Sequence, residues 1–294
     1  MIGQKEILKQ IDNLIEKGFP RFIVITGQKG QGKTELAKYI FHKLDEYYAT
    51  PEPDNKGGIY MVEIEPKIDA IREMIEMAYK QTEPIIYLIQ NADKMSIGAK
   101  NSLLKVIEEP PQQAYFIMEL QQIENTLETI KSRCQEIKME NYTINDIENM
   151  IEKINFNLDL ESKNILKKVA QNYYQIKKLI EYNVIEFYNF VNKVFNNIYK
   201  VQSANSFKLS ERLDLKNDGN GYDLDLFFNM YSYIGINKLF DSVFDNRWDE
   251  ANRVIGSCLS ITSNYKQKLT ITGINKQSLI DMWILDIRKI WREY

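Results

Sequence analysis

Through the first half of the chain, short apolar runs alternate with stretches in which apolar residues recur every three or four positions. Ile7, Leu8, Ile11, Leu14 and Ile15 form such a stripe over residues 4–17 and predict a helix, which Gly18 ends and Pro20 keeps from resuming. Strands are predicted over 22–26, 59–64, 84–89, 114–118 and 135–139. The run Pro84-Ile85-Ile86-Tyr87-Leu88-Ile89 is continuously apolar, as a strand buried on both faces should be. Helices are predicted over 33–46, from Ile68 to near Lys80, and from Ala99 to Glu109, where Pro110-Pro111 stops the last. Residues 50–58 read as an exposed loop. Strands alternating with helices indicate a parallel, doubly wound sheet, which binds ligands at the carboxyl ends of its strands.

After about residue 140 the pattern becomes helical throughout. Thr143 and Asp146 read as an N-cap and its acidic partner, and residues 143–154, 159–171 and 174–183 form a small helical module. Longer helices follow, with apolar stripes through Phe187, Val191 and Phe195, through Leu224, Phe227 and Tyr231, and through Ile280, Trp283 and Ile287 over 276–292. Apolar faces of this width suggest packing against other helices or other subunits. Lys216 to Gly221 is the clearest turn.

The 294 residues are enough for two or three domains, and 44% hydrophobic with 27% charged content is that of a globular protein. A net charge of -3 predicts no overall attraction to nucleic acid. The two cysteines, Cys134 and Cys258, are too few for a disulfide framework or a four-cysteine zinc site. The first residues lack signal-peptide character and no apolar run approaches the roughly 20 residues of a membrane span, so a cytoplasmic protein is expected.

The chemistry is concentrated in Gly27-Gln28-Lys29-Gly30-Gln31-Gly32-Lys33-Thr34. An apolar strand precedes it and a helix follows, the context that a Walker A phosphate loop requires. Gly27, Gly30 and Gly32 let the backbone wrap an anion, and the helix N-terminus adds partial positive charge. Lys33 is expected to reach the β and γ phosphates, and the Thr34 hydroxyl to bind Mg²⁺.

Several stretches together resemble the bacterial DNA polymerase III clamp-loader subunits, and within them the delta-prime type. They are Ile2-Gly3-Gln4, the phosphate loop, Ile68 to Arg72, Asn91-Ala92-Asp93-Lys94-Met95, the block from Ala99 to Pro111, and Thr129 to Gln135 with its Ser132-Arg133-Cys134. Their order covers residues 1–140, about half of the chain. The resemblance implies an AAA+ nucleotide-binding domain over 1–141, a three-helix lid over 142–183 and a helical collar over 184–294 that joins a ring with other subunits. It implies motor and wrench subunits, a sliding clamp and primed DNA as partners. By the same resemblance, Arg133 is an arginine finger for a neighbouring subunit's ATP, and Ile2 lines the adenine pocket. An always-charged, planar guanidinium suits that role. Lys94, Lys100 and Lys105 lie where loader subunits face DNA, although a solvated helix face explains them as well.

The departures bear on mechanism. Walker B chemistry needs one carboxylate to organise Mg²⁺ and another to polarise water. Gln90 and Asn91 stand there instead, and amides neither neutralise Mg²⁺ nor take a proton. Asp93 could substitute, but matches another position of the family pattern. Where active relatives place a lid arginine, the chain offers Gln175 and Lys177. Residues 47–58 hold no cysteine where the family's zinc module would sit, so no metal is expected there. The expectation is ATP or ADP binding with Mg²⁺, little or no intrinsic hydrolysis, and a stator role. Any polymerase activity would belong to the holoenzyme, since no paired-carboxylate site for nucleotidyl transfer is visible. The alternatives are an active AAA+ ATPase of the motor type, and an interaction subunit with a vestigial nucleotide site.

Overall fold

The computed structural model describes residues 2–49, 58–154, 157–198, 213, 221–244, 250–269 and 274–293. The chain divides into two compact units, Met1–Asp146 and Ile147–Tyr294. The first is a parallel sheet with helices on both faces. Helix α1 (Lys5–Lys17) leads into β1 (Phe22–Thr26), α2 (Lys33–Tyr48), β2 (Tyr60–Ile64), α3 (Ile68–Lys80) and β3 (Ile85–Ile89). Then come α4 (Ile97–Ser102), α5 (Leu104–Glu108), β4 (Ala114–Leu120), α6 (Glu128–Lys131) and β5 (Gln135–Lys138). The strand order is β2-β3-β4-β1-β5, and every pairing is parallel.

Side chains of successive strand residues point to opposite faces, and the two faces are covered separately. On one, Ile23, Ile25, Leu88 and Ile117 pack under α1 and α2, which bring Ile11 and Leu36. On the other, Val24, Ile89, Phe116 and Met118 pack under α3, α4 and α5. β1, β3 and β4 are buried along their whole lengths, whereas β2 at the sheet edge is largely exposed. As predicted, α1 ends at Gly18, which takes φ 108, a conformation that favours glycine.

Two details differ from the sequence reading. The helix expected over Ala99–Glu109 is two helices that meet at the fully buried Leu103. The Ser102 hydroxyl donates back to the Gly98 carbonyl at 3.0 Å, a bond that bends helices. The fourth strand runs two residues further, through Glu119 to Leu120. The exposed loop expected over 50–58 lies outside the described residues except for Gly58, and the turn over 216–221 except for Gly221.

The second unit is helical. It contains α8 (Leu160–Val169), α9 (Tyr173–Glu181), α10 (Val184–Asn197), α11 (Leu224–Phe244), α12 (Glu250–Lys268) and α13 (Lys276–Glu293). α7 (Ile144–Ile154) opens on the expected capping pair: Thr143 N–H donates to Asp146 at 2.9 Å, and Asp146 N–H to the Thr143 hydroxyl at 3.2 Å. Trp283 is fully buried among the rings of Phe227, Phe228 and Tyr231, and its indole N–H donates to Thr262 Oγ1 at 3.0 Å. The stripes seen in the sequence thus pack inward, while Phe240, Met282 and Leu285 remain exposed.

Candidate functional site

The carboxyl end of β1 runs directly into the glycine-rich loop, and α2 begins at Lys33 with Gly32 as its N-cap. Gly30 at φ 78 and Gly32 at φ 94 hold left-handed turns that turn the loop back onto the helix. A side chain at Gly27 would come within 2.6 Å of Gln31 Oε1 and 2.8 Å of Met139 Cβ. The α2 N-terminus therefore faces a loop with room only for backbone, the geometry that helix ends use for anions.

Lys33 folds back over the loop. Its ammonium donates to the carbonyls of Gly27 at 2.6 Å and Gln28 at 3.0 Å. Burial pushes its pKa down, and the carboxylates of Glu119 and Asp93 pull it partly back up. The Thr34 hydroxyl donates to Glu119 Oε2 at 3.2 Å. Gln31 stiffens the loop: its Oε1 accepts from Gln28 N–H at 2.7 Å, its Nε2 donates to the Glu140 carbonyl at 2.9 Å, and Tyr142 donates to its carbonyl at 2.6 Å.

Ile2 is half-buried in the segment that precedes α1. That segment is tied to the same place, because Gln4 Nε2 donates to the Glu140 carbonyl at 2.6 Å and Glu140 N–H donates to Gln4 Oε1 at 2.9 Å. Gly3, at φ 66, lies so close to Tyr142 that a Cβ would meet its ring at 3.0 Å. The Ile2-Gly3-Gln4 segment and the phosphate loop thus converge on residues 140–142.

At the end of β3 stand Gln90 and Asn91, the latter in a left-handed conformation at φ 51. Asp93 is already engaged. Both its oxygens accept from Gln121 N–H, at 3.2 and 3.0 Å, and Oδ1 accepts from Asn125 Nδ2 at 2.7 Å. The acid that the sequence reading missed is Glu119. It is 5% exposed on β4, and burial pushes its pKa up, with Thr34 and Lys33 opposing. Tyr115, Ile117 and Glu119 fall on one face of β4, but the strand is buried on both faces, so no apolar–polar alternation in the sequence marks the acid.

Arg133 lies just past α6, its side chain 43% exposed. It pairs with Glu108 at 3.3 Å and donates to the Thr129 carbonyl at 3.1 Å. Lys94 and Lys105 are exposed, and Lys105 sits 5.4 Å from the Tyr79 ring centre. Lys100 donates to the Asn125 carbonyl, which makes it a tie to the loop after β4. Within the helical unit, the buried Gln175 donates to Asp225 at 2.8 Å and accepts from Gln171 N–H at 2.8 Å, while Lys177 is exposed. Among the described residues, no group of three or more His, Cys, Asp or Glu could hold a metal ion, and no helix is long and apolar enough to cross a membrane.

A family profile described as DNA polymerase III, delta subunit, matches residues 49–143. The chain is 32% identical to DNA polymerase III subunit gamma of Buchnera aphidicola subsp. Schizaphis graminum, over 59% of this chain and 50% of that protein. It is 31% identical to subunit tau of Bacillus subtilis, over 52% of this chain and 31% of that one. It is 30% identical to subunit delta' of Bacillus subtilis, over 45% and 46%. The chain thus spans half or less of these three relatives. Among solved structures, a DNA polymerase III gamma subunit-related protein of Thermotoga maritima matches over 96% of this chain and 98% of that one, with TM-score 0.49 and 16% identity.

Proposed function

We propose that this chain, a member of the bacterial clamp-loader AAA+ family, is a delta-prime-like stator. It joins motor and wrench subunits in a ring that helps to load a sliding clamp onto primed DNA. The observation that carries this reading is the end of β3. Gln90 and Asn91 offer amides where hydrolysis needs carboxylates, and Asp93 is held by Gln121 and Asn125. An intact phosphate loop without that pair suits binding better than turnover.

The residues fit a nucleoside triphosphate with its divalent cation. Lys33 and Thr34 stand in the first turn of α2, and the buried Glu119 Oε1 has no hydrogen-bond partner. Gly27, Gly30, Gly32, Lys33 and Thr34 would hold the phosphates, with Ile2 beside the base. The cation would neutralise phosphate charge when bound. Arg133 would serve a neighbouring subunit's ATP. Its ion pair with Glu108 is half-exposed, so little opposes its release. The lid over 142–183, the collar over 184–294, the absence of zinc, DNA contact through the complex and a cytoplasmic location belong to the same proposal.

A motor-type ATPase remains the second reading, and the buried Glu119 beside Thr34 is the observation on its side. Sedimentation of the chain with purified gamma- or tau-type motor subunits tests the proposal. A stable mixed complex with negligible turnover by the isolated chain is expected. A chain that sediments alone, or hydrolyses ATP alone, contradicts it.

A further inference from the structure

β3 and β4 pair in parallel, with Ile89 opposite Met118. Gln90 follows Ile89 as Glu119 follows Met118, so the two occupy corresponding positions on neighbouring strands. The carboxylate missing from the end of β3 is present one strand over, at the same level of the sheet.

Glu119 is placed there by the fold. Tyr115 and Ile117, on the same face of β4, lie in the core under α1 and α2, and Glu119 continues that face toward the first turn of α2. The residue is 5% exposed, and its Oε2 accepts from Thr34 while its Oε1 has no partner. A buried carboxylate with an unused oxygen is costly, and such groups are kept where a charge or a donor comes to meet them. Mg²⁺ takes hard oxygen ligands, usually one or two carboxylates together with phosphate oxygens and water. A carboxylate and a hydroxyl at the head of α2 make such a set.

We propose that Glu119, together with Thr34, binds the divalent cation of a nucleoside triphosphate held on the phosphate loop, so that the metal-organising carboxylate comes from β4 instead of β3. This rests on the nucleotide binding proposed above. It does not restore the second acid, because Asn91 still stands in that place, so it predicts metal-dependent binding without turnover. It also predicts a sign: without a cation, the Glu119 charge opposes the phosphates.

The test is titration of a fluorescent ATP analogue with the full chain, in Mg²⁺ and in EDTA. Wild type, Glu119→Gln, Glu119→Asp and Lys33→Ala are compared, together with electron paramagnetic resonance of Mn²⁺·ATP. In wild type, Mg²⁺ should raise affinity about tenfold or more, and Glu119→Gln should abolish most of that gain while strengthening binding in EDTA. Glu119→Asp keeps the charge and should keep part of the gain, which separates a folding defect from loss of the ligand. The Mn²⁺·ATP spectrum should change with wild type and much less with Glu119→Gln. If Mg²⁺ helps both proteins equally, Glu119 is not a metal ligand, although nucleotide binding stands. If Glu119→Gln binds more tightly to the same degree with and without metal, Glu119 only repels phosphate and the proposal falls. If wild type and Lys33→Ala both bind nothing, the nucleotide reading falls, and this proposal with it.

Discussion

The Thr34 hydroxyl donates to the Glu119 carboxylate at 3.2 Å across 85 positions of sequence. This contact joins the first turn of the phosphate-loop helix to the neighbouring strand of the sheet. It places an acid beside Lys33, inside a site whose expected acids at the end of β3 are amides.

The Lys33 ammonium is held in a buried position that disfavours its charge. Desolvation lowers its pKa, so its folded-state affinity for a proton is below the ordinary lysine value. A lowered pKa contributes stability only above about 10.5, and that contribution is lost as pH falls, so at neutral pH the buried charge is a cost. Lys33→Met should therefore leave the thermal midpoint at pH 7 unchanged or raise it, while ATP affinity falls about tenfold or more. Calorimetry of unfolding and of binding on the same variant checks both halves. A fall in both would mean that the loop needs the ammonium for its own structure.

Gln4 and Gln31 donate to one carbonyl, that of Glu140, and both are 5% exposed. Gln4→Ala removes the acceptor of the Glu140 N–H and Gln31→Ala that of the Gln28 N–H, while the Glu140 carbonyl keeps the other donor, so each should destabilise by about 1 kcal/mol in urea unfolding. Because they share an acceptor, the double variant should depart from additivity by about 0.5 kcal/mol or more. Strict additivity would show that the two ties act independently.

What could be read from sequence was what is local. The phosphate loop is contiguous, and its flanking strand and helix announce themselves by period. The Thr143 and Asp146 cap lies within one turn. β1 and β3 are buried on both faces, so their apolar runs are unbroken. What was not legible depends on distant partners. Glu119 lies past the apolar run of β4, and only the approach of α2 gives it a role. Gln4 meets Glu140 across 136 positions, and nothing near Gln4 signals it. The break at Leu103 comes from a serine bonding back along an otherwise well-patterned helix, which apolar spacing does not record. The Arg133 pairing with Glu108 joins two family motifs that the sequence presents separately.

Cys258 gives the helical unit a pH signature. It is 1% exposed, and burial pushes its thiol up to about 11. A raised pKa means that the folded thiol keeps a proton which the unfolded thiol has released. Its contribution is therefore complete below about 9 and is lost as pH rises through about 11. Burial pushes Tyr231 upward as well, with the same sign. Stability measured by urea should fall between pH 9 and 11, and Cys258→Ala should flatten that slope. In native protein at pH 8, a thiol reagent should modify the half-buried Cys134 before Cys258. Equal rates would show that the helical unit opens readily.

The most direct test of the stator reading is ATP turnover by motor-type subunits reconstituted with this chain, wild type against Arg133→Ala, with the isolated chain as control. Arg133 is 43% exposed and its ion pair is a surface one, so its loss should leave folding and assembly intact. Negligible turnover by the isolated chain is expected, together with a fall of roughly 10³–10⁵-fold at the interface that Arg133 would serve. Undiminished turnover with Arg133→Ala, or hydrolysis by the isolated chain that Lys33→Ala abolishes, would contradict the stator reading.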